Sequence, residues 1–405
     1  MALILGIDSG GTHTDGVLFD GEKGGIVGRS KVGHGKEGHM RGVVRCLRSF
    51  PPETLNQVER VVFATTLGMN GWRAKEGDAF FCPAEVKITE SAAREMQEFV
   101  AAMGEALVLA GMTCPVYLGT EGGGLCLLAA ASSRDIFLSG PVASLNGAFG
   151  LSGEENAYML DIGGASTQIG GIAQGRENLP GADDLASFNW GGDSRIRLSQ
   201  EGEISFGPEH AWPLSQVGRE DNGFFAEMSA FRNAMGPLLK KGYPFGLLAL
   251  NRQSPPLFAS LTEGPKTVAA LAATGVLPGL AEVEEWIKTG ALMPVAFTPG
   301  DFFHVNGGYV EGSREAAYLG AELLGEICDL APLAFTQYGL DQLGGILRES
   351  LHRFCPGFFN GEKRTLIAVG AAAGTWLHFI SLGGGGKILL PPCGEVAGAV
   401  GAAIG

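Results

Sequence analysis

The sequence lacks any run of about 18 uninterrupted apolar residues, so no membrane-spanning helix is expected. It also lacks a C-x-x-C pair. Its seven cysteines (Cys46, Cys82, Cys114, Cys126, Cys328, Cys355 and Cys393) are scattered and odd in number. That argues against a zinc knuckle or a disulfide framework and leads us to expect a reducing, cytoplasmic setting. There is no basic stripe: 29 Lys and Arg stand against 43 Asp and Glu, a net charge of −14, so no nucleic-acid partner is expected. The first apolar residues have no basic flank and read as a first strand, not a signal peptide. A P-loop is missing too, because around Gly383-Gly384-Gly385-Gly386-Lys387 Ser381 occupies the first motif position and Ile388 the last. That segment reads as a loop before a strand. Glycine, in contrast, is abundant at 65 of 405 residues, without a collagen-like period and amid many Val, Ile, Leu and Phe. Tight turns and close backbone contacts are expected, not disorder.

One phrase occurs twice. Ile7-Asp8-Ser9-Gly10-Gly11-Thr12-His13-Thr14-Asp15 returns as Leu160-Asp161-Ile162-Gly163-Gly164-Ala165-Ser166-Thr167-Gln168. An apolar run precedes each copy and a β-prone run follows it, which predicts strand, Gly-rich turn, strand. Paired glycines let main-chain N–H groups approach an anion closely. Thr12 and Thr14, or Ser166 and Thr167, could add hydroxyl donors. Asp8 and Asp161 would sit uncomfortably beside an anion unless a cation lay between, which points to Mg²⁺ with a nucleotide phosphate. Ordinary hairpin turns use the same residues, and it is the repetition in one register that favours the phosphate reading. Asp15 reads equally as a second carboxylate at that site or as a turn cap.

Further along, helices are expected at about 40–49 and 92–111, and strands at 60–66 and 115–118. Gly68-Met69-Asn70-Gly71 reads as a turn. The segment Phe137-Leu138-Ser139-Gly140-Pro141 leads into an Ala/Gly-rich helix, and a domain boundary falls near residue 152. Residues 181–256 show only loops and short strands. Helices return at about 281–289, 313–330 and 337–354, and a strand at 366–369 enters Gly370-Ala371-Ala372-Ala373-Gly374. His34 and His39 read as solvated loop residues, His304 as a hydrogen-bonded core residue and Cys393 as packing.

The order of these pieces resembles the actin, Hsp70 and sugar-kinase superfold. The wording is similar to the hydantoinase A and 5-oxoprolinase family, carried by Leu5 to Asp15, Leu138-Ser139-Gly140-Pro141, Asp161 to Thr167, Phe206-Gly207-Pro208-Glu209, Thr298-Pro299-Gly300-Asp301 with His304-Val305, and Pro391-Pro392 before a last small-residue helix. The resemblance implies an α/β, two-lobed actin-like ATPase (ribonuclease H-like) fold. Its parts would be a first lobe at 1–152, a second lobe with an inserted segment at 153–394, and a C-terminal helix at 395–405 packing back on the hinge. It implies ATP and Mg²⁺ as cofactors. Asp8, Asp15 and Asp161 would be catalytic, with Asp8 and Asp161 on the metal. Gly10, Gly11, Thr12, Thr14, Gly163, Gly164, Ser166, Thr167, Gly370 and Gly374 would hold the nucleotide.

The implied activity is ATP-dependent hydrolysis of a cyclic amide of the hydantoin or 5-oxoproline type, or of a related carbonyl compound. The alternatives are a small-molecule kinase and a nucleotide-binding regulatory or assembly subunit with weak ATPase activity. A small-molecule substrate is implied, and a second hydantoinase-type subunit or another copy of the chain as partner. The sequence departs from the family pattern at His13, where phenylalanine is usual, and at Ala165 and Gln168, where Thr and Asp are usual. The second hairpin thus has one hydroxyl and one carboxylate fewer, and restoring both is expected to raise turnover. Longer family members continue beyond the point where this chain ends.

Overall fold

The computed structural model describes residues 2–34, 38–66, 80–81, 87–120, 124–172, 185–199, 201–250, 256–261, 263–308, 312–360, 365–379 and 386–405. The expected turn at 68–71 and the glycines 383–385 lie outside them. Contacts divide the chain into two compact units. The first holds residues 1–189, 349–374 and 383–405; the second holds 190–348 and 375–382. The lobes drawn from the sequence follow the duplicated phrase, whereas these units follow contact density, and the two schemes cut the chain at different places.

The first unit begins with β1 (Leu3–Ser9), β2 (His13–Asp20), β3 (Gly25–Gly33), α1 (Gly38–Arg48), β4 (Val58–Thr65), β5 (Phe80–Phe81), α2 (Glu90–Leu109), β6 (Val116–Gly119), β7 (Leu125–Leu127) and α3 (Ser133–Ser152). These strands, β5 excepted, form a sheet in the order β3-β2-β1-β4-β6-β7. β1, β2 and β3 pair antiparallel, whereas β4 joins β1 and β6 joins β4 in parallel. Strict alternation divides the strand residues between two faces. Leu3, Leu5 and Ile7 pack with Val43 and Leu47 of α1, with Phe50 just after it, and with Met96, Val100 and Met103 of α2. Leu5, Ile7 and Val61 are fully buried, and such side chains contribute about 1.5–3 kcal/mol each. Ile4, Val62 and Ala64 face the other way, onto Ala143 of α3.

The chain then repeats itself through β8 (Ala157–Ile162), β9 (Thr167–Ile172) and β10 (Leu185–Phe188). The hairpin and third strand pair antiparallel, as in the first sheet.

The second unit follows. β11 (Ser194–Leu198) and β12 (Ile204–His210) form a ribbon. β13 (Trp212–Pro213), α4 (Leu214–Glu220), α5 (Asn222–Ala230), α6 (Arg232–Lys240), β14 (Gly246–Ala249), β15 (Lys266–Thr267), α7 (Leu280–Lys288), β16 (Leu292–Ala296), α8 (Pro299–Val305) and α9 (Arg314–Ile327) come next. Their strands order as β13-β16-β14-β15. Thr298-Pro299-Gly300-Asp301 starts α8: fully buried Asp301 accepts from Thr298 N at 2.9 Å and, across the unit, from Ser215 N at 2.8 Å and Leu214 N at 3.2 Å. The motif therefore ties the start of α8 to the start of α4. His304 is buried in α8, as expected, and burial pushes its pKa down to about 4.

α10 (Pro332–Phe354) returns the chain to the first unit, where β17 (Thr365–Val369), β18 (Lys387–Leu389) and α11 (Ala397–Ile404) finish it. β17 joins β8 and β18 joins β17, both in parallel, giving β18-β17-β8-β9-β10-β5. This sheet has the plan of the first: three antiparallel strands, then parallel ones. In the second half residues 190–348 stand in the connection where the first half has α1. α3 and α11 pack at glycine distance. A methyl on Gly147 would overlap the Ala397 carbonyl, and one on Gly401 the Ala143 carbonyl.

Two expectations need correction here. α3 starts before Ser139-Gly140-Pro141, because a capping box at Ser132 and Asp135 nucleates it earlier and Pro141 is accommodated inside. The described part of residues 181–256 holds the helices α4, α5 and α6 in addition to strands. Among the described residues no helix is long and apolar enough to cross a membrane.

Candidate functional site

The two hairpins have the same register. Asp8 lies opposite Asp15 and Ser9 opposite Thr14; Asp161 lies opposite Gln168 and Ile162 opposite Thr167. The turn bonds match as well, Gly10 N donating to His13 O and Gly163 N to Ser166 O, each at 2.9 Å. Both turns and both strand-end aspartates belong to the first unit.

Asp8 is the least satisfied of the carboxylates. Its Oδ1 is buried and has no hydrogen-bond partner, and a methyl on Gly398 of α11 would overlap its Oδ2. Burial raises its pKa well above the usual carboxylate range, Asp15 and Asp161 raise it further, and Lys31 opposes them. Burial likewise raises Asp161, against a hydrogen bond from Ser144 of α3 and the charge of Lys31. Gly370, at φ 89°, follows β17 where a side chain would overlap Asp161 Oδ1. Only glycine permits both that backbone and that approach.

Asp15 is committed to an ion pair. Lys31 stands opposite it on β3 and donates to both its oxygens, at 2.8 and 2.7 Å. Lys31 also reaches Glu395 O at 3.1 Å, just before α11. Burial still leaves Asp15 raised. Of the two roles the sequence left open for it, a turn cap does not describe this pairing.

The hydroxyl expectation changes. Thr14 is fully buried, and its Oγ1 bonds His34 Nε2 at 2.8 Å and Ser9 Oγ at 3.3 Å. Thr167, in the equivalent register position, is also fully buried. Alternation turns both side chains away from the aspartate face, which leaves Thr12 and Ser166 as the turn hydroxyls. Thr12 Oγ1 contacts His13 Nδ1 at 2.9 Å. Burial, then Lys31, pushes His13 down to about 3, so its ring is neutral at physiological pH. His34 was expected in solvent but is buried behind β2, because β3 continues to Gly33 and delivers it against Thr14. Gly374 lies in an exposed turn of helix with no neighbour against it.

Lys31, Ser144 and Gly398 were not found by sequence reasoning. The signal for Lys31 was present in the Gly21 to Gly24 turn, which predicts a third antiparallel strand and sets Lys31 opposite Asp15. Among the described residues no group of three or more His, Cys, Asp or Glu is arranged to hold a metal by itself. One or two carboxylates completed by phosphate and water is the usual mode for Mg²⁺, and the orphaned Asp8 oxygen fits it.

Two sequence profiles match this chain: the hydantoinase/oxoprolinase N-terminal region over residues 4–99, and hydantoinase/oxoprolinase over residues 86–244. No curated protein matches the sequence significantly. Among solved structures, a nucleotide-free acetone carboxylase is similar, with a TM-score of 0.65 at 14% identity over 99% of this chain and 70% of that one. An ATP-dependent caprolactamase from Pseudomonas jessenii aligns at TM-score 0.49 and 12% identity, over 98% and 70% of the two chains. The mixed α/β plan, hairpin-led sheets extended by parallel strands, is that of the actin-like ATPases. Matched from residue 4 to residue 244, the chain belongs to the hydantoinase/oxoprolinase family.

Proposed function

We propose that this chain is an ATP-dependent enzyme that activates a carbonyl for cleavage, in a cyclic amide of the hydantoin or 5-oxoproline type or a related compound. The observation that carries the reading is the buried, unpartnered Asp8 oxygen beside two matching glycine turns. Family membership and the likeness to an acetone carboxylase, an enzyme of ATP-dependent acetone carboxylation, support it.

In this reading Asp8 and Asp161 hold Mg²⁺. Main-chain N–H groups of Gly11 and Gly164, with Thr12 and Ser166, face the phosphates; Gly10 and Gly163, whose N–H groups close the turns, keep side-chain bulk away from them, and Gly370 and Gly374 leave room for the rest of the nucleotide. Mg·ATP, when bound, supplies a phosphoryl group that turns a poor leaving oxygen into a good one, with the cation neutralising charge. Lys31 fixes Asp15 and moderates the charge of the three aspartates. A cytoplasmic protein working with a second hydantoinase-type subunit, or with another copy of itself, fits the composition.

One observation favours the regulatory-subunit alternative: neutral Gln168 stands where the first hairpin has Asp15. Steady-state ATP hydrolysis with and without hydantoin or 5-oxoproline separates the two. Stimulation by either compound supports the enzyme, and Mg·ATP binding without stimulated turnover supports the subunit. Absence of Mg·ATP binding overturns both.

A further inference from the structure

We infer that Ser144 makes the two strand-end aspartates unequal: it positions Asp161 through a hydrogen bond, while its counterpart Gly398 leaves Asp8 wholly to the cation. The cation half of this inference rests on the Mg·ATP reading given above. The hydrogen-bond half does not.

A second duplicated phrase carries it, visible once the packing pairs two helices. Gly140-Pro141-Val142-Ala143-Ser144 with Gly147-Ala148, in α3, returns as Gly394-Glu395-Val396-Ala397-Gly398 with Gly401-Ala402, running into α11. The contacts between the helices are reciprocal in that same register. Gly147 abuts the Ala397 carbonyl and Gly401 abuts the Ala143 carbonyl, which makes residue 144 the counterpart of residue 398. The opening glycines correspond as well: Gly140 lies against the Thr65 carbonyl at the end of β4, and the Gly394 carbonyl accepts from Gly370 N just after β17. β4 runs beside β1 and β17 beside β8, so each phrase starts on one sheet and, one helical turn later, meets the aspartate of the other.

At the paired position the two halves differ. Ser144 is buried and hydrogen-bonds Asp161, whereas glycine at 398 has no side chain to donate and closes against Asp8 Oδ2. Asp8 Oδ1 is left buried without a partner. A buried carboxylate oxygen without a donor carries its full desolvation cost, and one that already holds a hydroxyl has recovered part of it. Mg²⁺ therefore relieves more at Asp8 than at Asp161. Ser144 contributes orientation instead, because a partner outside the ligand shell fixes how a carboxylate meets its ion.

The test combines urea denaturation without ligands and isothermal titration with Mg·ATP, on the full chain carrying Ser144→Ala, Asp161→Ala, both together, Ser144→Thr or Asp8→Ala. Without ligands, Ser144→Ala should lower the urea midpoint, and most of that loss should vanish in the Asp161→Ala background, where the acceptor is gone. With Mg·ATP, Asp8→Ala should weaken binding at least tenfold more than Asp161→Ala, about the difference that a hydrogen bond to a charged group makes. Ser144→Ala should weaken binding less than Asp161→Ala and add nothing to it. Ser144→Thr keeps the hydroxyl and should bind as the wild type does; if threonine does not fold at this buried position, the cycle with Asp161→Ala decides. Additive losses in urea would overturn the bond as the role of Ser144, and equal weakening by Asp8→Ala and Asp161→Ala would overturn the inequality. A wild-type chain that binds no Mg·ATP would overturn the functional reading and the cation half with it, while the urea cycle still decides the bond.

Discussion

Asp8 of β1 and Gly398 of α11 meet so closely that any side chain at 398 would occupy the space of the Asp8 carboxylate. The last helix thereby forms one wall around the strand-end aspartate. Gly398→Ala should force Asp8 or α11 to move, a strain of about 1–3 kcal/mol. Denaturant unfolding should show that loss, and calorimetry should show Mg·ATP affinity falling with it. Wild-type stability and affinity in the variant would remove the helix from the site.

The Asp8 carboxyl is raised by burial and by two neighbouring aspartates, and the sign of its effect on stability follows. The folded state binds the proton more tightly than the unfolded state, whose value is near 3.9, so this stability is fully present below that pH. It is lost as pH rises through the higher folded value. Asp8→Asn removes the ionisation and sacrifices no hydrogen bond at Oδ1. Without ligands, the variant should melt above the wild type at about pH 8 and close to it at about pH 4. Added Mg·ATP should stabilise the wild type and leave the variant unchanged. Thermal scans at both pH values, with and without Mg·ATP, read all three outcomes. A variant that melts lower than wild type at pH 8 would contradict the assignment.

Lys31 is the cation that lowers all three aspartates, Asp8, Asp15 and Asp161. Lys31→Met leaves Asp15 largely buried and unpaired, and should destabilise the protein by roughly 2–3 kcal/mol at neutral pH. Adding Asp15→Asn should recover much of that loss, since the uncompensated charge goes with it. A double-mutant cycle by urea denaturation measures the coupling. Additive single losses would mean that the pair is not the source of the effect.

How much of this was legible in the sequence depends on range. The hairpins were, because a glycine pair between apolar runs is a local signal that fixes turn, register and strand end together. That placed Asp8, Asp161 and the turn glycines correctly at the ends of β1 and β8 and in the turns that follow. Thr14 and Thr167 were misplaced because alternation, applied one residue further along each hairpin, turns them to the opposite face. Lys31 depends on an unread third strand. Ser144 and Gly398 depend on how two helices lie across two sheets, which no local pattern encodes. α4, α5 and α6 are 7, 9 and 9 residues long, too short for a helical period to stand out.

Register also decides what the second hairpin tolerates. On sequence grounds, replacing Gln168 by the family's aspartate should help catalysis, but the two hairpins differ one strand further out. Asp15 faces Lys31 on β3, whereas Gln168 faces Ser187 on β10. Ser187 is buried and uncharged, and Gln168 is 2% exposed with its Oε1 unpartnered. A carboxylate introduced there would lie opposite Asp161 without a cation in register, so desolvation and like-charge repulsion would both oppose its ionisation. Gln168→Asp should therefore lower stability at about pH 8, by roughly 1.4 kcal/mol for each unit its pKa is raised, and much less at about pH 5, where the group stays protonated. ATP turnover by the variant should not rise, since a protonated acid cannot do the work of the ionised one. Thermal unfolding at the two pH values, with an ATPase assay alongside, checks this. Equal stability at both pH values together with faster turnover would show that Lys31 is not what permits a carboxylate in the first hairpin, and would return the second hairpin to the role suggested by the family pattern.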